Sequence, residues 1–210
     1  MLSALRNSIK PLAQVLAIPF IKLRISPNVI SCIGLALALI GAYFVTQQNW
    51  LFAFVFFLLA PTMDLIDGTV ARALNKRSNW GNYFETMIDK FVDFAMLGSF
   101  VFVPGLAVAS VLALGFSAIS SYAKPRVALI VITDNRDWPA IGEHADKLIL
   151  VLIALLLAVF GFYYIDLFLY LIAIISAVGS VQRMFYAKDL IKEAEKKGTL
   201  LPYIKKRKER

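Results

Sequence analysis

The chain alternates long apolar runs with short polar connections, and this alternation predicts a bundle of membrane-spanning helices. A helix needs roughly 20 predominantly apolar residues to cross a bilayer. Six runs approach or reach that length, at about residues 29–45, 50–73, 81–103, 106–123, 148–162 and 167–187. The pattern therefore predicts an all-α, polytopic membrane protein with six transmembrane helices.

The two ends of the chain differ from these runs. Residues 1–25 mix apolar positions with four basic residues and with Pro11 and Pro19. This stretch is too polar and too interrupted to span, which favours an amphipathic helix lying in the membrane interface. We therefore expect three segments, namely the interfacial helix 1–25, a six-span domain 26–187 and a basic cytoplasmic tail 188–210.

Composition supports a membrane protein and excludes several kinds of site. The 210 residues are 60% hydrophobic and 17% charged, which is unlike a soluble globule. Cys32 is the single cysteine and His144 the single histidine of the chain. A disulfide framework, a thiolate metal cluster and a histidine-based zinc site are therefore not expected.

The distribution of basic residues predicts the topology. The formal net charge is +8, but the connections at 46–50, 104–105 and 161–166 contain no Lys or Arg. Basic residues concentrate instead in the N-terminal segment, the 72–90 region, the 124–147 loop, the end of the last run and the tail, which closes with Lys205–Arg210. By the positive-inside rule these parts are cytoplasmic, and so are both termini. The charge thus indicates topology and contact with anionic lipid rather than nucleic acid.

Acidic residues gather in one stretch of otherwise apolar sequence. Five of the fourteen acids lie there, and they are Asp64, Asp67, Glu85, Asp89 and Asp93. The first two share one helix face and the last three share another. A carboxylate in hydrocarbon costs about 2.5–3.5 kcal/mol, so a divalent ion that offsets this cost is expected, and oxygen ligands suit Mg²⁺ or Mn²⁺. The alternative is pairing with basic residues of the same stretch, but Gly68 and Ala71 leave room for a phosphate or nucleotide.

The spacing of this stretch resembles a known signature. It reads Asp64-x2-Asp67-Gly68-x2-Ala71-Arg72-x8-Gly81-x3-Glu85-x3-Asp89. This resembles the pattern of the CDP-alcohol phosphotransferase family of membrane enzymes and departs from it only at Glu85, where the family has aspartate. The six-span architecture is similar too. The resemblance implies transfer of a substituted phosphate from a CDP-activated lipid or alcohol to an acceptor hydroxyl, with release of CMP.

The resemblance also implies roles for individual residues. Two divalent ions, Mg²⁺ or Mn²⁺, would be held by Asp64, Asp67, Glu85 and Asp89, an arrangement that suits phosphoryl transfer. Asp89 would in addition take the proton of the acceptor hydroxyl. The cytidine diphosphate site would be shaped by Asp64, Gly68, Ala71, Arg72 and Gly81. Glu85 adds a methylene that must shift the ions or the backbone, which marks either a subfamily or an altered activity.

Asp93 lies one helical turn beyond the implied base and has two interpretations. It either orients Asp89 or Lys90, or it pairs with another nearby basic residue.

A second patch suggests the acceptor. Residues 121–126, Ser-Tyr-Ala-Lys-Pro-Arg, resemble a segment of family members that use phosphorylated or polyol acceptors, most of all the archaeal and actinobacterial members that transfer inositol phosphate. In those members the residues that match Ser121, Lys124 and Arg183 hold the acceptor's phosphate, as such cations can. Alternatively, Lys124 is an ordinary span-terminal cation and Arg183 snorkels to the headgroups.

The resemblance thus implies a homodimeric enzyme that transfers the lipid phosphate of a CDP-activated diacyl- or dialkylglycerol to inositol 1-phosphate. Glycerol 3-phosphate or another polyol is the alternative acceptor. A small cation transporter with intramembrane carboxylates and a catalytically silent scaffold are the alternatives from other classes. Acids that lie toward one membrane face, beside Gly68 and Gly81, favour the enzyme.

Overall fold

The apolar runs form helices in the computed structural model, which describes residues 2–133, 138 and 140–201. Every regular element in these residues is helical, which confirms the predicted all-α class. The helices are α1 (Leu2–Lys22), α2 (Pro27–Thr46), α3 (Trp50–Ala73), α4 (Asn79–Gly98), α5 (Ala107–Val127), α6 (His144–Val159) and α7 (Ile165–Lys197). A 3₁₀ turn, Ser99–Phe102, continues α4. The basic cluster Lys205–Arg210 lies outside the described residues.

Polar side chains define where several helices begin. The Asn49 side chain accepts a hydrogen bond from the Phe52 amide at 3.3 Å before α3, and Ser78 Oγ accepts one from the Gly81 amide at 2.9 Å before α4. At the start of α6, the Glu143 amide donates to Asp146 Oδ2 at 3.0 Å. Such bonds satisfy backbone groups that the helix itself leaves without partners.

Two helices differ from the runs that predicted them. α6 begins at His144 rather than near residue 148, so a charged turn precedes its apolar part. α7 continues without a break beyond residue 187 to Lys197, so the first part of the predicted tail is an extension of this helix.

Four of the described helices are long and apolar enough to cross a membrane, namely α2, α3, α5 and α7. The remaining two predicted spans fall short for different reasons. α6 has 16 residues, and α4 carries Glu85, Asp89, Lys90 and Asp93 in its 20 residues. The predicted count of six spans therefore stays a prediction.

Small residues bring the helices close together. The most extensive packing joins α2 to α3 and α5 to α7, while α4 packs on α2 and α6 packs on α3. Buried alanines occur at these contacts, among them Ala38, Ala53 and Ala113. Lipid provides no hydrophobic driving force between helices, so close van der Waals packing of small residues is what holds such a bundle.

Two further clusters lie at the end of the bundle that carries the acidic stretch. Ala17 of α1 packs with Ile30, Ile66 and Val70, which ties α1 to α2 and α3. On the other side, Val127, Val131 and Trp138 pack against the α7 extension at Ala194. Both clusters hold connecting segments around the end where the acidic side chains meet.

Candidate active site

Three carboxylates from two helices converge. Asp64 and Asp67 lie one turn apart on α3, and Glu85 lies in the second turn of α4. One oxygen from each of the three lies within 4.8 Å of the others. A group of carboxylate oxygens this close repels itself unless a cation lies among them, and hard divalent cations are the ions that such oxygens bind.

Asp67 shows that the residues present fit a metal ion. Its side chain is 2% exposed, and its Oδ2 accepts a hydrogen bond from Ser31 Oγ of α2. Its Oδ1 is buried and has no hydrogen-bond partner among the described residues. A buried charged oxygen without a partner is costly, and a bound cation is the ligand that would satisfy it.

Asp89 lies beside this group but is not a member of it. A small cavity of about 20 Å³ is lined by all four predicted metal ligands, Asp64, Asp67, Glu85 and Asp89, together with His144. Asp89 also interacts electrostatically with Lys90 and His144. Asp89 is thus near both the acidic group and two basic residues, Lys90 of α4 and His144 of α6.

A larger cavity of about 480 Å³ opens next to the acidic group. Asp67 and Glu85 form one side of it, and Arg72, Lys76 and Arg77 contribute positive charge elsewhere in its lining. Of the five residues predicted to shape the nucleotide site, Gly68, Ala71, Arg72 and Gly81 line this cavity, whereas Asp64 lines the small one. The arrangement provides space and complementary charge for a nucleotide diphosphate.

Two glycines of this lining lie next to polar side chains. A side chain at Gly68 would lie 3.5 Å from Arg72 Nη1, and Arg72 Nη2 donates to Thr69 Oγ1 at 3.0 Å. A side chain at Gly81 would lie 3.1 Å from the capping Ser78 Oγ. The arginine is thus anchored to its own helix at the edge of the cavity.

Asp93 is the centre of a network of basic side chains. Its Oδ1 lies 2.7 Å from His144 Nδ1, and its Oδ2 lies 3.2 Å from Lys90 Nζ and 3.4 Å from Lys147 Nζ. The Lys147 side chain is 5% exposed and that of Asp93 is 12% exposed. Asp93 therefore joins α4 to the first turn of α6 in a mostly buried setting. Lys90 Nζ extends the network to Ser121 Oγ of α5 at 3.2 Å.

The three residues predicted to hold the acceptor phosphate lie on α5 and α7. Ser121 donates to the Ser117 carbonyl at 2.9 Å in addition to its contact with Lys90. Arg183 Nη1 donates to Ser120 Oγ at 2.7 Å and to the Ile141 carbonyl at 3.0 Å. Lys124 lies in the last turn of α5, and none of the three lines either of the two cavities.

Arg183 also fixes the segment before α6, residues 140–143, which we call the α6 strap. The Ile141 amide donates to Gln182 Oε1 at 3.0 Å, so two consecutive residues of α7 bind the strap. The contact requires Gly179, because a Cβ there would lie 2.1 Å from the Ile141 carbonyl oxygen. Arg183 is also attracted electrostatically to Glu143 in the strap and to Asp146 in the first turn of α6.

Sequence reasoning missed several residues of this site. Ser31 and Asn28 line the large cavity from the first turns of α2, and Lys147 and His144 reach Asp93 from α6. Ser31 was detectable only as a polar residue in an apolar run. Lys147 was detectable as a cation at the edge of a span, a position where a snorkelling side chain is the ordinary interpretation.

Comparison with known proteins agrees with this geometry. The family model of the CDP-alcohol phosphatidyltransferases matches residues 24–181, and the chain belongs to this family. It is accordingly an enzyme, a transferase of phospholipid biosynthesis. The resemblance stated from the acidic stretch is thereby confirmed.

Among curated proteins, archaetidylinositol phosphate synthase of Pyrococcus horikoshii is 30% identical over 192 residues, which cover 90% of this chain and 97% of that protein. Phosphatidylinositol phosphate synthase of Corynebacterium glutamicum is 28% identical and covers 85% of this chain and 83% of its own. CDP-diacylglycerol–glycerol-3-phosphate 3-phosphatidyltransferase of Aquifex aeolicus is 36% identical, but over 36% of this chain and 43% of that protein.

Solved structures show the same fold. Phosphatidylinositol phosphate synthase of Mycobacterium tuberculosis with bound CDP-DAG has a TM-score of 0.72 at 19% identity and covers 84% of this chain and 94% of its own. The same enzyme in complex with manganese and citrate also gives a TM-score of 0.72 at 19% identity and covers 84% of this chain and 88% of its own. The acidic group described above is consistent with a divalent metal in this chain as well.

Proposed function

We propose that this enzyme transfers the phosphatidyl-type group of a CDP-activated diacyl- or dialkylglycerol to the hydroxyl of inositol 1-phosphate and releases CMP. The observation that carries the proposal is the three-carboxylate group at the side of a cavity of about 480 Å³ that also contains cationic side chains. A pyrophosphate bound through divalent ions needs such a combination. Relatives that make inositol-phosphate lipids and match nearly the whole chain support the choice of acceptor.

The CDP-activated lipid, which donates the phosphatidyl-type group, would lie in the large cavity. Arg72, Lys76 and Arg77 would bind the nucleotide half, and Gly68, Ala71 and Gly81 would leave room for it. Asp64, Asp67, Glu85 and Asp89 would hold two Mg²⁺ or Mn²⁺ ions. These ions would neutralise the charge that develops on the phosphate oxygens when the donor is bound.

The chain's own chemistry is the removal of one proton. The acceptor oxygen forms a bond to the phosphorus that carries the lipid, the bond from that phosphorus to the CMP oxygen breaks, and CMP leaves with the electron pair. Asp89 would accept the proton of the attacking hydroxyl. Its position in the lining of the small cavity, beside the other carboxylates, supports this role, because a base must lie within reach of the hydroxyl that it activates.

The acceptor's phosphate would be bound by cations on α5 and α7. Ser121, Lys124 and Arg183 were predicted for this role, and the network adds Lys90 and Lys147 nearby. Lys90, Lys124, Lys147 and Arg183 thus place positive charge on four described helices, α4 to α7. An arginine and lysines on separate helices suit a phosphate monoester, which carries more charge than inositol itself.

We also propose that all six predicted helices cross the membrane, with both termini and the active site on the cytoplasmic side. In α4 the charged residues form one face, while Trp80, Tyr83, Phe91 and Phe94 are each more than half exposed on the other. An apolar outer face is what a lipid-facing helix with an internal polar site presents. α1 fits an interfacial position, since Leu12 and Val15 are exposed while Ala13 and Ala17 are buried. A homodimer remains part of the proposal.

The test is acceptor-dependent release of CMP by the purified chain with CDP-lipid and Mg²⁺ or Mn²⁺. We expect release with inositol 1-phosphate and none with free inositol. If only glycerol 3-phosphate supports CMP release, glycerol 3-phosphate is the acceptor instead. If none of the polyols, polyol phosphates and amino alcohols tested supports CMP release, the proposed reaction is contradicted. Asp89→Asn should lower turnover by about 10²–10⁴-fold.

The control for Asp89→Asn is Asp166→Asn, an exposed aspartate in the first turn of α7, which should keep parent activity. Lys124→Ala and Arg183→Ala should each raise the KM for the acceptor more than they lower kcat. An unchanged acceptor KM in both variants would contradict the predicted phosphate site.

A further inference from the structure

Ser31 occupies an unusual place for a serine in an apolar helix. It lies in the second turn of α2, is 6% exposed and lines both the small and the large cavity. A buried hydroxyl requires a hydrogen-bond partner. Because Ser31 lines both cavities, the hydrogen-bond partner of its hydroxyl is to be sought in the acidic group that lies there.

The hydroxyl has two acceptors in reach and one proton to donate. The Pro27 carbonyl lies 3.2 Å from Ser31 Oγ, and Asp67 Oδ2 lies closer. A carboxylate is a stronger acceptor than a carbonyl, so the proton points to Asp67.

The two oxygens of Asp67 therefore have different surroundings. Oδ2 accepts a hydrogen bond from Ser31, while Oδ1 is buried and has no hydrogen-bond partner among the described residues. Asp67 contributes one carboxylate oxygen to the group with Asp64 and Glu85. We infer that Ser31 is a positioning residue: its hydroxyl holds one oxygen of Asp67 so that the other faces the metal ion. This inference rests on the metal-dependent function proposed above and adds a residue of α2 to it.

The physical consequence is a loss of metal affinity when the hydroxyl is removed. Without Ser31 Oγ the Asp67 side chain can rotate, and both of its oxygens compete for the ion and for water. Hydrogen-bond partners of metal ligands typically contribute about 10–100-fold in metal affinity or activity. A hydroxyl that served only to join α2 to α3 would change thermal stability and leave the metal affinity of the folded protein unaltered.

The experiment is a titration of the full purified chain with Mn²⁺ alone, followed by the electron paramagnetic resonance signal of free Mn²⁺. We expect Ser31→Ala to raise the Mn²⁺ Kd by about 10–100-fold and Ser31→Thr, which keeps the hydroxyl, to stay close to the parent value. Ser110→Ala is the matched control, because Ser110 is also buried and donates to the Leu97 carbonyl far from the acidic group. Its Mn²⁺ Kd should equal that of the parent.

Parent-like Mn²⁺ affinity in Ser31→Ala, or equal losses in Ser31→Ala and Ser110→Ala, would overturn the inference. If Ser31→Ala does not fold, Ser31→Cys keeps the volume with a weaker donor and should still raise the Kd. A parent chain that binds no Mn²⁺ would refute the metal site and the inference together. A failure to use inositol 1-phosphate would refute only the proposed acceptor, since the titration contains neither substrate.

Discussion

At the scale of single residues, Asp93 is the acidic side chain that contacts three basic residues of the site. Its carboxylate lies within 3.4 Å of Lys90 Nζ, His144 Nδ1 and Lys147 Nζ, and Lys147 is the buried residue at the start of α6. The contacts fit both interpretations that the sequence allowed, since Asp93 binds Lys90, which the first names, and also His144 and Lys147, as the second allows. The pairing also includes Lys90, the residue next to the proposed base.

Replacing Asp93 should destabilise the protein strongly. In Asp93→Asn the buried Lys147 loses its negatively charged partner, and removing one member of a buried pair costs about 3–5 kcal/mol. We expect a clear drop in the thermal unfolding midpoint of the detergent-purified protein. The matched control is Glu193→Gln, which breaks a pair with Lys197 whose side chains are 60% and 64% exposed and should leave the midpoint unchanged. Equal midpoints for both variants would contradict a stabilising role for Asp93.

The carboxylates of the site could be predicted from sequence, but their partners could not. The spacing of Asp64, Asp67 and Glu85 on helix faces indicates a shared site, because helical periodicity is local. Ser31 and Asp67 are 36 residues apart, and His144 and Asp93 are 51 apart. Contacts of this kind depend on how helices pack against each other, and no periodic pattern in a single sequence records that packing.

At the scale of elements, the α6 strap connects the site to α7. Ile141 is held by Gln182 and Arg183, and the strap lies so close to α7 that Gly179 has no room for a side chain. Gly142 in the strap adopts a positive φ of 76°. The strap thereby fixes the start of α6, whose first turn carries His144 and Lys147 to Asp93.

Gly179→Ala should therefore disturb the strap. The added methyl group would lie 2.1 Å from the Ile141 carbonyl oxygen and 2.8 Å from Arg183 Nη1. Overpacking costs about 1–3 kcal/mol, which for a chain of this size lowers the unfolding midpoint by about 2–12 °C. Because Arg183 moves with the strap, the KM for the acceptor should rise in a CMP-release assay.

The control for this substitution is Gly115→Ala in α5, where an added Cβ meets nothing within 4 Å. Alanine is favoured over glycine in a helix by roughly 0.5–1 kcal/mol, so this variant should be as stable as the parent or slightly more stable. A Gly179→Ala protein with parent stability and parent acceptor KM would show that the strap does not position Arg183.

Element boundaries followed the apolar pattern where capping residues support it and departed from it elsewhere. The run at 50–73 coincides with α3, because Asn49 caps its start. α6 starts earlier than its apolar run because the Glu143–Asp146 bond begins the helix in a charged segment. Hydropathy alone cannot detect a charged first turn of this kind, because the free-energy cost of burying its charges is offset by partners on another helix.

At the scale of the whole molecule, the open question is how often the chain crosses the membrane. Hydropathy and length select four helices, whereas charge distribution predicts six crossings. The two possibilities differ on where the connection between α5 and α6 lies. With six crossings it is on the same side as the α3–α4 connection, and with four it is on the opposite side.

Single-cysteine labelling should distinguish the two topologies. Cys32 is the only cysteine of the chain and is exposed, so the background is Cys32→Ser. Into this background we would introduce Arg77→Cys after α3, Arg126→Cys at the end of α5 and Tyr163→Cys before α7. All three positions are exposed in the described structure. A membrane-impermeant maleimide is then applied to intact cells and to inverted vesicles.

Six crossings require Arg77→Cys and Arg126→Cys to react only in inverted vesicles and Tyr163→Cys to react in intact cells. Arg77 and Tyr163 serve as references, because both topologies place them on opposite sides. If Arg126→Cys reacts together with Tyr163→Cys instead, α4 and α6 do not cross. Lys124 would then lie on the opposite side from the acidic group on α3, and the proposed acceptor site, which needs both on the same side of the membrane, would fail with the six-span topology.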